Sequence, residues 1–190
     1  MQLQENDTIS LSTLPSLSDL TKQLGERLVH RRWRLTTAES CTGGKLASAL
    51  CAAKDTPEFY GVGYITFTNE AKARVLGVKQ ESLARYTAVS ERVVTEMAVG
   101  ARERAGVDIS IAVSGYGGPE GGEDGTPAGT VWFAWDVGGR PCTAVRRFEG
   151  DCEAVLDASV CFALGQLLAL LPDDDAHSSP RSRGGRRASE

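Results

Sequence analysis

Two spacings of apolar residues alternate along this chain, and their alternation predicts the order of its elements. Leu17, Leu20, Leu24 and Leu28 recur every three or four residues behind Ser16, the pattern of a serine-capped helix with one buried face. Residues 34–38, rich in threonine, predict a short strand that runs into the turn Glu39-Ser40-Cys41-Thr42-Gly43-Gly44. The small apolar residues of 45–53 predict a helix after that turn. Residues 59–67 (FYGVGYITF) read as a buried strand whose glycines admit the close approach of another backbone. Thr68 caps a short helix over 69–76 closed by Gly77. Ser90 caps a longer one, in which Val93, Met97 and Ala101 form a core stripe that ends at Gly106.

The later part of the chain makes the predicted sheet a mixed one. Residues 108–114 alternate Ile109, Ile111 and Val113 with smaller side chains and open into a glycine-rich loop over 115–127. The apolar strands 130–137 and 143–148 are joined through Gly138-Gly139, which is hairpin chemistry, so that pair is antiparallel. Leu156, Val160, Ala163, Leu164, Leu167 and Leu171 mark a last helix after Gly150-Asp151. Helices between strands followed by a hairpin predict an α/β chain: a three-layer α/β/α sandwich with a mixed, mostly parallel sheet of about five strands. The domain spans 16–171. Residues 1–15 predict a flexible N-terminus, and 172–190, running from an aspartate cluster into Ser, Pro, Gly and Arg, a disordered tail.

Composition narrows the function classes. The chain has 190 residues, of which 41% are hydrophobic, enough for one core. A net charge of -4 and a pI near 5.3 give no pull toward nucleic acid or an anionic membrane surface. Residues 1–15 lack a basic start followed by an apolar block, so a cytoplasmic protein is expected. The apolar stretch 161–171 is interrupted by Gly165 and Gln166 and is too short to cross a bilayer. Five cysteines without paired spacing, and two histidines, predict neither a disulfide framework nor a metal site.

Two loops at strand ends hold the candidate chemistry. The amides around Thr42, Gly43 and Gly44 open a helix and can offer N–H groups to an anion, although a tight turn also uses glycine for geometry alone. Ser40 in that turn is either a nucleophile beside an oxyanion pocket or a helix cap. Neither His30 nor His177 is placed to serve it as a base, which disfavours a Ser/His/Asp triad. Lys72 is the best candidate base if burial lowers its pKa; the alternative is a surface lysine. Ser114, beside the long glycine loop, is either a ligand contact or a strand terminator.

Read together, Thr37 through Gly44, Thr68-Asn69-Glu70-Ala71-Lys72 with Leu76-Gly77-Val78, Ala88-Val89-Ser90-Glu91, Ser114-Gly115 to Gly118-Pro119 and Pro127 through Val131 resemble the C-terminal domain of the CinA (competence/damage-inducible) proteins. The match covers about residues 16–170. Active members of that family deamidate nicotinamide mononucleotide to nicotinic acid mononucleotide and ammonia. The resemblance therefore implies Ser40 as nucleophile and Lys72 as its base, with Thr42, Gly43 and Gly44 as oxyanion or phosphate donors. Phe67, Ser114 and Gly115 would line the substrate site. It implies a small-molecule nucleotide substrate, no metal or cofactor, and a homodimer. Three positions depart from the family pattern: Phe67 stands for a tyrosine, and Cys152 and Leu156 for two arginines. Leu156, on the apolar stripe of the last helix, suggests a site edge rebuilt as packing surface. Two readings stay open, an amidohydrolase and a non-catalytic CinA-like paralogue that binds a nucleotide or a protein partner.

Overall fold

The computed structural model describes residues 16–172, so the expectations for 1–15 and for the tail beyond Pro172 lie outside the described residues. The elements run α1 (Leu17–Arg31), β1 (Leu35–Glu39), α2 (Lys45–Cys51), α3 (Thr56–Phe59), β2 (Tyr60–Ile65), α4 (Asn69–Leu76) and α5 (Gln80–Tyr86). They continue with α6 (Glu91–Ala105), β3 (Ile109–Gly115), β4 (Thr130–Val137), β5 (Arg140–Arg147) and α7 (Cys152–Leu170). The strands form one sheet in the order β2-β1-β3-β4-β5. β1 pairs in parallel with both β2 and β3, while β4 runs antiparallel to β3 and β5, so four of the five strands share one direction.

Local signals in the sequence set most of the boundaries. Ser16, Thr68 and Ser90 each accept the N–H three residues on through their hydroxyls, and Gly77 and Gly106 end their helices in the left-handed conformation. Gly138 and Gly139, both at positive φ, turn the β4–β5 hairpin. Asp151 caps α7, its carboxylate accepting from the Ala154 N–H at 2.9 Å. The short helices α3 and α5 carry no periodic apolar face and were not expected from the pattern.

The two faces of the sheet bury separate clusters. Leu20, Leu24 and Leu28 of α1, Leu46 and Leu50 of α2, and Val155, Phe162, Leu164 and Leu167 of α7 pack on Ile109, Ile111, Val113, Phe133 and Trp135. Each fully buried Leu or Phe contributes roughly 1.5–3 kcal/mol. The other face meets α4 and α6 through Ala38, Ala112 and Ala134 of the strands against Leu76, Val93, Met97 and Ala101, the alanines letting α6 approach closely. α7 is long and apolar enough to cross a membrane by length and composition. Here it lies against α1 and the sheet, where the Trp135 indole donates to the Ala163 carbonyl at 2.9 Å.

One strand differs from expectation. β2 is a sheet edge and mostly exposed rather than buried, because β1 covers it on one side only. Its glycines make room for side chains, not for another backbone: a Cβ at Gly63 would collide with the Tyr60 and Thr37 hydroxyls, and one at Gly61 with Arg34.

Candidate active site

The site forms at the carboxyl end of the parallel strands. β1 lies between β2 and β3, and the ladder continues one residue past it: the Ser40 N–H donates to the Val113 carbonyl at 3.0 Å, and the Thr66 N–H donates to the Glu39 carbonyl at 2.8 Å. The chain then turns into α2 through Gly43 and Gly44, at φ of 56° and 104°. Only glycine takes the second of these values without strain.

Side chains alternate across a strand, so Glu39 and Ser40 leave the sheet on opposite faces. The Glu39 carboxylate turns to α2 and accepts N–H groups from Gly44 (3.0 Å), Leu46 (3.1 Å) and Ala47 (2.8 Å). Ser40 turns to the α4 side and meets Lys72. Two of the three amides of the expected anion cradle over Thr42, Gly43 and Gly44 are therefore taken up by the protein itself. Gly44 donates to Glu39, Gly43 to the Ser40 carbonyl and Lys45 to the Thr42 carbonyl. Sequence reasoning missed Glu39 as a functional residue; an acid at the last strand position before a helix N-terminus is the signal that could have found it.

Lys72 is 0% exposed. The Thr68 cap and the first turn of α4 bring it inward, and its Nζ lies 2.9 Å from Ser40 Oγ, 2.9 Å from the Thr66 carbonyl and 3.0 Å from the Phe67 carbonyl. Burial, unrelieved by any carboxylate at hydrogen-bond distance, lowers its pKa to about 8. A neutral amine has two N–H groups for the two carbonyls and one lone pair, which then faces the serine hydroxyl. The arrangement can draw a proton from Ser40. Cys41 is no competitor, since burial pushes its thiol up to about 12.

Two further hydroxyls border this pair. Thr42 Oγ1 and Thr66 Oγ1 are buried and have no hydrogen-bond partner in the protein, a state that costs about 1–3 kcal/mol unless a ligand or water meets it. Thr66 was not singled out from sequence. The Thr42 and Cys41 amides have no carbonyl partner.

The other expected residues are more dispersed. Phe67 is 71% exposed and reaches Lys72 only through its backbone carbonyl. The Ser114 hydroxyl donates to the Ala88 carbonyl at 2.8 Å and is buried, tying β3 to the segment that enters α6. Gly115 sits where a Cβ would press on Thr130 and Val131 of β4. Leu156 does not join the buried stripe of α7, which runs through Val155, Ala158 and Ser159; it is half-buried, with its side chain and the Cys152 sulfur against Gly117. Among the described residues no three His, Cys, Asp or Glu side chains gather as a metal site.

A mixed α/β sheet whose carboxyl edge presents a turn serine to a buried lysine is the setting in which the sequence motifs now fall into register, and the chain belongs to the CinA C-terminal domain family, whose model matches residues 17–171. The resemblance read from the motifs is thus borne out. Among individual relatives, Protein YdeJ of Escherichia coli (strain K12) is 61% identical over 171 residues, 90% of this chain and 99% of YdeJ. Nicotinamide-nucleotide amidohydrolase PncC of the same strain is 42% identical over 152 residues, 80% of this chain and 92% of PncC. A solved CinA superfamily protein from Escherichia coli aligns with a TM-score of 0.83 at 62% identity, covering 87% of this chain and 96% of its own. The competence/damage inducible protein CihA from Agrobacterium tumefaciens aligns at 0.79 with 33% identity, covering 85% and 99%.

Proposed function

We propose that the chain is an amidohydrolase that opens the carboxamide of a pyridine nucleotide, nicotinamide mononucleotide being the first member of the class, to the carboxylate and ammonia. The 2.9 Å contact between Lys72 Nζ and Ser40 Oγ supports this reading most directly. Ser40 Oγ attacks the amide carbon while Lys72 Nζ takes its proton. The oxyanion that forms is met by the Cys41 and Thr42 amides, the two in the turn that no carbonyl occupies. Lys72 returns the proton to the departing nitrogen, ammonia leaves, and water hydrolyses the seryl ester by the same route. The substrate class comes from the name and 42% identity of PncC.

A second reading, a non-catalytic paralogue that binds a nucleotide or protein partner, is favoured by one observation. The rim carries Phe67, Cys152 and Leu156 where the family pattern has a tyrosine and two arginines. Ammonia release from nicotinamide mononucleotide by the purified chain separates the two. The amidohydrolase reading expects turnover that falls at least about a thousandfold in Ser40→Ala and in Lys72→Ala. Undiminished turnover in both variants would refute the site, and no turnover in the parent would leave the binding reading.

A further inference from the structure

A third hydroxyl, that of Thr66, stands beside the Ser40–Lys72 pair. β1 and β2 are in parallel register with Glu39 opposite Ile65, so the residues that follow, Ser40 and Thr66, emerge side by side where the two strands end, about 5 Å apart as neighbouring strands are. The bond from the Thr66 N–H to the Glu39 carbonyl carries the pairing to that point. Side chains alternate along a strand. Ile65 lies against Gly44 at the start of α2, the side to which Glu39 also turns, and Ser40 and Thr66 therefore both face α4. Lys72 reaches the two together, its Nζ 2.9 Å from Ser40 Oγ and 2.9 Å from the Thr66 carbonyl.

On the other side of Ser40 the row continues to Ser114, since Glu39 is also opposite Val113. The three hydroxyls are used differently. Ser114 donates to the Ala88 carbonyl and Ser40 meets Lys72, whereas Thr66 Oγ1, in a residue only 1% exposed, has no hydrogen-bond partner in the protein. A buried hydroxyl in that state costs stability that valine, of the same shape, would not. It is free for an atom brought between Ser40 and Lys72.

A primary carboxamide presents one acceptor and two N–H donors. In the proposed reaction its oxygen faces the Cys41 and Thr42 amides, and its nitrogen must come within reach of Lys72 Nζ, which returns the proton to it. The Thr66 and Phe67 carbonyls tie Lys72 to the end of β2, so that nitrogen comes to the Thr66 side of the serine. The two carbonyls there are engaged by Lys72, which leaves Thr66 Oγ1 as the acceptor for an amide N–H.

We propose that Thr66 Oγ1 accepts an N–H of the substrate carboxamide, holding the leaving nitrogen beside Lys72 and making the site prefer a primary amide to a group of the same shape without N–H. This deepens the amidohydrolase reading and rests on the carboxamide lying between Ser40 and Lys72.

The test uses nicotinamide mononucleotide and 3-acetylpyridine mononucleotide, in which a methyl group replaces the amide NH2. Binding of both to the full chain carrying Ser40→Ala, with and without Thr66→Val, is measured by calorimetry. With Thr66 present the carboxamide is expected to bind about five- to tenfold tighter than the ketone, and with Thr66→Val the preference is expected to shrink to about twofold or less, the loss of one neutral hydrogen bond. With Ser40 intact, Thr66→Val is expected to lower kcat/KM for ammonia release at least about tenfold while Thr66→Ser stays within about threefold of the parent. Thr66→Val is also expected to be at least as stable in urea as the parent, which a hydroxyl that serves the fold would not allow. A preference unchanged by Thr66→Val, binding of neither compound, or a clear loss of stability in Thr66→Val overturns the proposal. Ammonia release that Thr66→Val leaves undiminished sinks it while the amidohydrolase stands. The expected change of preference with no ammonia from the parent sinks the amidohydrolase and upholds Thr66 as the carboxamide contact.

Discussion

Glu39 and Ser40 are neighbours in the chain that work on opposite faces of the sheet. The Glu39 carboxylate is bound by three N–H groups of the α2 turn, and the Ser40 hydroxyl lies 2.9 Å from the Lys72 amine on the α4 side. The acid sets the turn that presents the serine. Removing it in Glu39→Ala leaves three buried or half-buried N–H groups without their acceptor, with an expected loss of about 3–5 kcal/mol of stability by urea denaturation. Glu39→Gln keeps one acceptor oxygen and is expected to fall between Ala and the parent; equal stability of all three would show that the carboxylate does not hold the turn.

The buried lysine ties stability to pH with a definite sign. Its pKa in the folded chain is about 8 against 10.5 when unfolded. Below pH 8 both states carry the proton and the folded state bears the whole cost of burying the charge. Between 8 and 10.5 the unfolded state holds more protons, so stability rises with pH. Relative to Lys72→Met, the parent is expected to gain about 3 kcal/mol across that window, the free-energy equivalent of the gap between the two values. A difference that stays flat with pH would show that Lys72 is not desolvated.

The proposed catalysis would follow the same titration. If Lys72 acts as the base, kcat/KM rises through about pH 8 and levels off above it, because the neutral amine is the active form. A profile flat from pH 6 to 9 under conditions where chemistry is rate-limiting would assign the proton to another group.

Ser114 separates a structural role from a ligand role. Its hydroxyl is donated to the Ala88 carbonyl, so Ser114→Ala is expected to cost about 1–2 kcal/mol of stability and to leave KM unchanged. A raised KM with unaltered stability would instead make it a substrate contact.

The cysteines should differ sharply toward alkylating agents. Burial holds Cys41 as a thiol up to about 12, whereas Cys51 and Cys152 are exposed. At pH 8 iodoacetamide is expected to modify Cys51 and Cys152 well before the half-buried Cys41, as peptide mass spectrometry would read. Labelling of Cys41 as fast as Cys51 would show that its thiol is not held up by burial.

Much of this was legible in the chain because its signals are local. Caps at Ser16, Thr68 and Ser90 and stops at Gly77 and Gly106 marked helix ends that need no tertiary contact to form. The pairing of Ser40 with Lys72 was suggested by motif order alone, and the fold supplies the distance. What stayed hidden depends on neighbours. Residues 59–67 read as buried because aromatic and β-branched side chains favour any sheet, and composition does not say that β2 is an edge. The Gly44 amide read as part of an open cradle because the carboxylate that takes it, Glu39, lies in the preceding strand and looks there like one more polar position.

The two sides of the sheet keep separate cores, with Lys72 carried by a helix of one layer and Cys152, Leu156 and Asp157 by a helix of the other. The two layers can therefore change independently. A lineage can exchange the residues at the start of α7 without moving the amine from its serine, so the surface of one layer can change while the buried pair of the other is kept.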